Sequence, residues 1–137
     1  LMVTKMITVI KESSVYQTAA WGIEDQPSFL NQVVRVDFHR APARLLELIL
    51  EIEEEMGRVR EEKWGSRLID IDILYFNNEV VEEKHLSIPH PEIANRRFTI
   101  LPLLELAPNF VHPTTSLTHD QMLEQTTDKL DAKIFET

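Results

Sequence analysis

Two aspartates one residue apart are the side chains whose types and spacing most directly suggest chemistry in this sequence. Asp70 and Asp72 alternate with Ile69, Ile71 and Ile73. In an extended segment the isoleucines would face a core, and the two carboxylates would share the other face about 7 Å apart. Such a pair is repulsive without a cation, and carboxylate oxygens suit Mg²⁺, which also accepts phosphate oxygens. The pair therefore predicts a magnesium site for a phosphorylated substrate, with a solvated outer face as the alternative.

Basic residues are concentrated around these aspartates in an otherwise acidic chain. Arginine binds phosphate oxygens through paired, charge-assisted hydrogen bonds. Phosphoryl transfer depends mainly on positioning and charge neutralisation, which metal-bound carboxylates beside arginines can supply. The alternative is that these residues pair with nearby glutamates at the surface. Half of the 14 Lys and Arg residues lie between positions 58 and 97, namely Arg58, Arg60, Lys63, Arg67, Lys84, Arg96 and Arg97.

Two aromatic rings and an amide suggest a site for a planar ligand. Phe29 and Phe98 each follow a polar segment, and Asn31 lies on the same predicted strand face as Phe29. Such rings can stack on a flat ligand, while an amide offers a donor and an acceptor to its polar edge. Either ring could instead belong to the core. His90, between two prolines, is by itself more often a structural histidine than a functional one.

Composition narrows the class of protein. The chain has 137 residues, of which 43% are hydrophobic and 27% charged, which suits one globular domain. It has no cysteine, so a disulfide scaffold and a thiolate metal site are excluded. With only three glycines it has no glycine-rich phosphate loop, so side chains must bind any phosphate. A net charge of −9 argues against binding to nucleic acid or to an anionic membrane.

The hydrophobic periodicity predicts an α+β sandwich with helices packed on one mainly antiparallel sheet. A charged loop is predicted at residues 58–67, between a helix that ends at Gly57 and the strand that carries the aspartates. The pair Asn77–Asn78 predicts a hairpin turn that returns through residues 79–81. The predicted strands are residues 8–16, 29–38 and 68–76, and the predicted helices are residues 42–57, 97–106 and 117–130.

Several segments together resemble a known family. They are residues 13–18 (SSVYQT), 25–31 (DQPSFLN), 57–60 (GRVR), 64–73 (WGSRLIDIDI), 88–91 (IPHP) and 95–98 (NRRF). They resemble the 6-hydroxymethyl-7,8-dihydropterin pyrophosphokinases of folate biosynthesis, also called 2-amino-4-hydroxy-6-hydroxymethyldihydropteridine diphosphokinases. The likeness runs from about residue 13 to residue 113. The R-W-G-x-R-x-x-D-x-D-type block, which here contains Trp64, Arg67, Asp70 and Asp72, is its most specific part.

The resemblance implies a reaction, cofactors and a fold. Members of the family transfer the β,γ-diphosphate of ATP to the hydroxymethyl oxygen of the pterin and release AMP. ATP is the co-substrate and two Mg²⁺ ions are held by aspartates that match Asp70 and Asp72. The implied fold is a ferredoxin-like α+β sandwich over residues 1–137, and a cytoplasmic monomer without nucleic-acid or membrane partners is expected. The alternatives are a Mg²⁺-dependent phosphohydrolase and a non-catalytic ferredoxin-like binding module.

The resemblance also implies roles for particular side chains. The residues implied in catalysis are Arg58, Arg67, Asp70 and Asp72, the two aspartates also being the metal ligands. The residues implied in pterin binding are Thr18, Ala19, Trp21, Phe29, Asn31, Trp64 and Phe98. The residues implied around ATP are Glu53, Arg60, Leu74, Ser87, His90 and Arg96.

The first residues differ from the family pattern, which opens with a strand and a G-S-N-type loop. Here Leu1, Met2, Met6 and Ile7 have helical spacing and run into a strand-like segment at Thr8 without a turn. Helices and strands are ordinarily joined by a few residues. We therefore expect residues, including the first strand, to be missing before Leu1 and near position 7 of this sequence.

Overall fold

The computed structural model describes residues 5–18, 29–64 and 69–136, and for residues 58–64 it describes the backbone but not the side chains. Contacts along the chain define two compact units. The first comprises Leu1–Thr8 and Asp37–His90, and the second comprises Val9–Val36 and Pro91–Thr137. The predicted single domain over residues 1–137, and the missing first strand, stay predictions.

Helix α1 (Pro42–Trp64) dominates the first unit. Pro42 stands at its first position, where a proline lacks no helical hydrogen bond, as the sequence predicts. The predicted end at Gly57 is wrong, because the helix continues for seven residues to Trp64. Glycine costs only about 1 kcal/mol within a helix, and the Arg, Glu and Lys residues that follow it favour helix. The side chains that α1 buries are Leu45, Leu48 and Ile49.

The segment that carries the aspartates is not a paired strand within the described residues, contrary to the prediction for residues 68–76. The alternation of apolar and acidic residues predicts which side chains share a face. A β-strand also needs a neighbouring strand with which its backbone can form hydrogen bonds. The turn at Asn77 is confirmed, with φ of 54° and a hydrogen bond from the Glu79 amide to the Phe76 carbonyl at 3.0 Å. The chain then returns in β5 (Val81–Glu83), which pairs with β6 (Leu86–Ile88) and not with the described residues 69–76.

The second unit contains two small sheets. One pairs β1 (Thr8–Glu12) with β4 (Val34–Asp37), and the other has the order β3 (Phe29–Asn31), β2 (Tyr16–Thr18), β7 (Ala132–Ile134). The end residues Thr8 of β1 and Asp37 of β4 are assigned to the first unit. Both pairings of β2 are antiparallel.

The predicted strands 8–16 and 29–38 are each split in two because side chains replace the ladder around Ser13. The Ser13 Oγ accepts from the Val33 amide at 3.0 Å, and the Gln32 side chain donates to the Ser13 carbonyl at 2.8 Å. These bonds satisfy backbone groups that a continuous ladder would otherwise use. The chain can therefore pass from one sheet to the other at this point.

Two helices complete the second unit. Helix α2 (Arg97–Leu106) is confirmed as predicted and packs against β2 and α3 (His119–Gln125). Helix α3 is shorter than the predicted 117–130. Thr118 and Gln121 cap its start reciprocally, and it ends before β7, a strand that the sequence analysis missed. The buried apolar side chains of these helices are Ile100, Leu103, Leu106 and Met122.

The α+β class is confirmed, and the antiparallel pairings agree with a ferredoxin-like sandwich. Within the residues that the structure describes, none of the helices combines the length and the apolar character that crossing a membrane requires.

Candidate active site

The two aspartates have the alternating exposure that the sequence predicts. Asp70 and Asp72 are exposed, whereas Ile69, Ile71 and Ile73 are half-buried. The isoleucines therefore contribute to the packing of the first unit and leave the carboxylates accessible to a ligand. The prediction that the two groups of side chains face opposite ways is consistent with this exposure.

A glutamate from α1 holds the backbone between the aspartates. The Glu53 Oε2 accepts a hydrogen bond from the Ile71 amide at 2.6 Å, and the bond is partly buried. A carboxylate that accepts from a backbone amide forms a charge-assisted bond, which is stronger than a neutral one. Since Ile71 is the residue between Asp70 and Asp72, this bond fixes the segment from which both carboxylates project. The sequence analysis expected Glu53 near ATP, and its contact here is with the backbone.

Two further predicted residues, Leu74 and His90, lie close to Asp72. The His90 amide donates to the Leu74 carbonyl at 2.9 Å, and the His90 Nε2 lies 3.9 Å from the Asp72 Oδ2. That separation is longer than a hydrogen bond but close enough for an ion pair when the ring is protonated. Ser87, in β6, is half-buried and lies opposite Glu82 of β5. The first unit thus brings Asp72, Leu74 and His90 together.

The donor set around the aspartates suits magnesium. Among the described residues, no group of three or more His, Asp or Glu side chains is arranged to hold a metal by itself. Magnesium is usually bound by one or two protein carboxylates together with waters and substrate phosphates. Two exposed carboxylates on one segment fit that pattern, because they leave coordination positions for a phosphorylated ligand.

Three of the residues predicted to bind the planar ligand, Thr18, Phe29 and Asn31, lie in the second unit on one small sheet. The register places Phe29 opposite Thr18 and Asn31 opposite Tyr16. Directly opposed residues of an antiparallel pair project from the same face, as do residues two apart along a strand. Thr18, Phe29 and Asn31 therefore share one face of the sheet. Phe29 is 60% exposed, so its ring is accessible and is not a core residue.

Helix α2 packs against this same face at Tyr16. The Tyr16 hydroxyl donates to the Glu105 Oε2 of α2, and the Ser14 amide donates to the other carboxylate oxygen at 2.8 Å. Burial, together with the carboxylate, raises the pKa of Tyr16 to about 12. Burial by itself raises the pKa of Glu105, but the bonds from Tyr16 and Ser14 outweigh it and lower that pKa. This pair ties α2, which carries Phe98, to the face that carries Phe29 and Asn31.

Arg96 and Phe98 are in contact at the start of α2. The guanidinium carbon of Arg96 lies over the Phe98 ring, 5.8 Å from its centroid. That geometry is a cation–π contact. A planar ligand would therefore stack on the opposite face of the ring or displace Arg96.

Several predicted site residues have no described side chain. Ala19, Trp21 and Arg67 lie outside the described residues. Arg58, Arg60 and Trp64 belong to the backbone of α1, so the predicted loop is wrong for residues 58–64.

The sequence analysis did not single out two carboxylates that organise the second unit, Glu105 and Asp128. Glu105 is an acid within an otherwise apolar helical segment, and such a residue signals a specific partner. Asp128 gave no comparable signal, because it lies in a polar stretch that was predicted to be helix.

Comparisons with known proteins agree with the predicted family. The sequence profile of the 7,8-dihydro-6-hydroxymethylpterin-pyrophosphokinase family (HPPK) matches residues 1–108. The 2-amino-4-hydroxy-6-hydroxymethyldihydropteridine pyrophosphokinase of Aquifex aeolicus is 44% identical over 109 residues, which are 80% of this chain and 68% of that protein. The enzyme of the same name from Bacillus subtilis is 44% identical over 115 residues, 84% of this chain and 69% of that protein. The Haemophilus influenzae enzyme is 38% identical over 109 residues.

These likenesses, with the aspartate segment and the α+β fold, define an ATP-dependent diphosphokinase. The chain belongs to the 7,8-dihydro-6-hydroxymethylpterin-pyrophosphokinase family. The predicted family and enzyme class are therefore confirmed.

Proposed function

We propose that this chain transfers the diphosphate of ATP to the hydroxymethyl group of 6-hydroxymethyl-7,8-dihydropterin and releases AMP, a step of folate biosynthesis. The observation that supports it most directly is the exposed pair Asp70 and Asp72 on a backbone held by Glu53. Membership of the pyrophosphokinase family, with relatives named for this reaction, supports the same assignment.

The metal ligands in this proposal are Asp70 and Asp72, which would hold two Mg²⁺ ions together with the triphosphate. Bound Mg²⁺ would neutralise phosphate charge and orient the triphosphate for attack. The protein keeps the two carboxylates on a fixed segment, because the bond between Glu53 and the Ile71 amide restrains that backbone. His90, 3.9 Å from Asp72, adds a positive charge near the nucleotide when its ring is protonated.

Arginine side chains would supply the remaining charge neutralisation. Arg58 and Arg67 are proposed to stabilise negative charge that develops on the transferred and leaving phosphates. Arg60, Leu74, Ser87 and Arg96 would complete the surroundings of ATP. A strong general base is not required by this scheme. As the bond between the hydroxymethyl oxygen and the β-phosphorus forms, the bond from that phosphorus to the AMP oxygen breaks, and the hydroxyl proton would pass to Asp72 or to a metal-bound group.

The pterin would be held between the rings of Phe29 and Phe98. The carboxamide of Asn31, on the face of Phe29, would bond the polar edge of the pterin. Thr18, Ala19 and Trp21 would contribute from the end of β2 and the residues after it, and Trp64 would close over the ligand. Stacking between two rings orients a flat substrate with little loss of side-chain freedom.

Nucleotide product analysis tests the proposal. Chromatography of reactions with and without hydroxymethyldihydropterin should show AMP only when both the pterin and Mg²⁺ are present. Asp70→Ala should reduce turnover by about 100-fold or more while the protein stays folded. Glu82→Ala, which removes an exposed carboxylate from β5, should leave turnover unchanged.

Other products would support the alternatives. Release of inorganic phosphate from ATP without the pterin would indicate a phosphohydrolase. A folded protein that binds no Mg-ATP by calorimetry would indicate a non-catalytic binding module. Full activity in Asp70→Ala would contradict the metal assignment.

A monomer is also proposed, as the family resemblance implies. Sedimentation of the active protein at assay concentration should give the mass of one chain and not a multiple of it. A cytoplasmic location is part of the same proposal, in keeping with ATP as the co-substrate.

A further inference from the structure

The start of α2 carries two of the proposed site residues but has no capping group of its own. Arg96, at the N-cap position, makes no side-chain hydrogen bond to the helix, and the first turn contains no acidic residue. The first amides of a helix have no acceptor within the helix, and the helix dipole is positive at this end. Arg96 and Arg97 add positive charge there. This helix start therefore requires an acceptor and a negative charge from elsewhere.

Asp128 supplies both from 31 residues further along the chain. Its Oδ2 accepts a hydrogen bond from the Arg97 amide at 2.8 Å. Its Oδ1 accepts from the Leu130 amide at 2.9 Å, and the Thr126 Oγ1 accepts from the Asp128 amide at 3.2 Å. Both carboxylate oxygens of Asp128 therefore accept hydrogen bonds. The bonds within residues 126–130 fix the orientation of the carboxylate toward the Arg97 amide.

The position of Asp128 also relates α2 to the sheet. Asp128 precedes Ala132, the first residue of β7, by four positions, and Ala132 pairs with Thr18 of β2. Thr18 pairs in turn with Phe29 of β3. Neighbouring strands are about 4.8 Å apart, so these three residues form one short row across the sheet. Asp128 thus lies just beyond the end of the sheet that carries Thr18 and Phe29.

We propose that Asp128 is a positioning residue for the pterin side of the site. Its carboxylate fixes the start of α2, and with it Phe98 and Arg96, relative to the sheet end that carries Phe29. The inference rests on the proposed function, and it assigns a role to a residue outside the matched family segment of residues 1–108. A segment that the sequence predicts as the end of a helix thereby takes part in substrate recognition.

Substitutions of Asp128 and of nearby Asp131 test the positioning role. Calorimetric titration with 6-hydroxymethylpterin, at a temperature where every variant is folded, should show a dissociation constant about five- to tenfold higher for Asp128→Ala. Asp128→Asn keeps one acceptor oxygen without the charge and should show a smaller increase. The matched control is Asp131→Ala, since Asp131 is exposed and its ion pair with Lys133, at 3.4 Å, lies at the surface. The dissociation constant of Asp131→Ala for the pterin should be within about twofold of the wild-type value.

Amide hydrogen exchange supplies an independent readout. The hydrogen-exchange rate of the Arg97 amide should be higher in Asp128→Ala than in wild type. In Asp131→Ala this rate should equal that of wild type. Pterin affinity of a folded Asp128→Ala equal to that of wild type overturns the positioning role, even if its melting temperature falls. If Asp128→Ala does not fold, the same criterion applies to Asp128→Asn. A wild-type protein that binds no pterin would instead overturn the proposed function itself.

Discussion

The Glu53 carboxylate accepts a hydrogen bond from the Ile71 amide at 2.6 Å, and this bond joins α1 to the backbone between the two exposed aspartates. Glu53 lies 18 positions before Ile71, so the contact exists only in the folded chain. It makes the orientation of Asp70 and Asp72 depend on a helix rather than on a neighbouring strand.

Removal of this bond should weaken magnesium-dependent turnover. Glu53→Ala leaves the Ile71 amide without its acceptor, which costs about 1–3 kcal/mol where the group is buried. We expect kcat to fall about tenfold and the Mg²⁺ concentration for half-maximal rate to rise. Steady-state kinetics across a Mg²⁺ titration measure both. Glu51→Ala, an exposed position on the same helix, is the control and should leave the titration unchanged; the same response from both variants would contradict the role of Glu53.

Phe29 should matter for the pterin and hardly at all for stability. Its side chain is 60% exposed, so Phe29→Ala should change the free energy of unfolding by less than about 0.5 kcal/mol. The KM for the pterin should rise about tenfold or more, because a stacking face is lost. Leu30→Ala is a matched control, since Leu30 is similarly exposed, at 55%, and alternates to the other face. An unchanged KM for the pterin in Phe29→Ala would remove that ring from the site.

The hydrogen bond between Tyr16 and Glu105 should contribute to stability at neutral pH. Tyr16→Phe removes a donor to a carboxylate and should lower the free energy of unfolding by about 1.5–3 kcal/mol, measured by urea denaturation. The lowered pKa of Glu105 means that its contribution is present above pH 4.5 and is lost as the pH falls through the folded-state pKa. Glu105→Gln should therefore show a weaker acid dependence than wild type. Equal acid dependence in the two proteins would show that this carboxylate is not the titrating group.

Two histidines, His119 in α3 and His112 before it, should make stability fall as the pH drops below 6.5. Burial lowers the pKa of both His112 and His119; their mutual repulsion lowers that of His112 further, while the Ala107 carbonyl and Asp120 partly oppose the effect at His119. The neutral forms are favoured in the folded state. Their contribution is thus complete above pH 6.5 and is lost as the pH falls through the lowered values.

His112 offers the sharper test of this dependence. Its Nδ1 accepts from the amides of Thr114 and Thr115, both at 3.1 Å, so a proton at this atom would face two donors. His112→Asn retains an acceptor that does not titrate. The variant should lose less stability than wild type between pH 7 and pH 5, by up to about 1.4 kcal/mol for each unit of pKa lowering. Chemical denaturation at the two pH values measures the difference, and equal losses in both proteins would exclude His112.

Much of the local structure could be predicted from the sequence. Alternation of apolar and acidic residues predicted which of residues 69–73 are exposed, and Pro42 marked the start of α1. The asparagine pair marked its turn, and the apolar stretch from Arg97 marked α2. The motifs were specific enough to predict the family and the enzyme class. The end of α1 was wrong because one glycine stops a helix only when the residues after it also disfavour helix.

The sequence by itself determined the chemical groups: two carboxylates with one residue between them, arginines, and rings beside an amide, because side-chain type and alternation are properties of the local chain. Only the tertiary structure decided what holds these groups in place. Glu53 meets Ile71, Glu105 meets Tyr16, and Asp128 meets Arg97, over separations of 18, 89 and 31 residues. No local pattern specifies such partners, because a polar group finds an acceptor wherever packing brings one within about 3 Å.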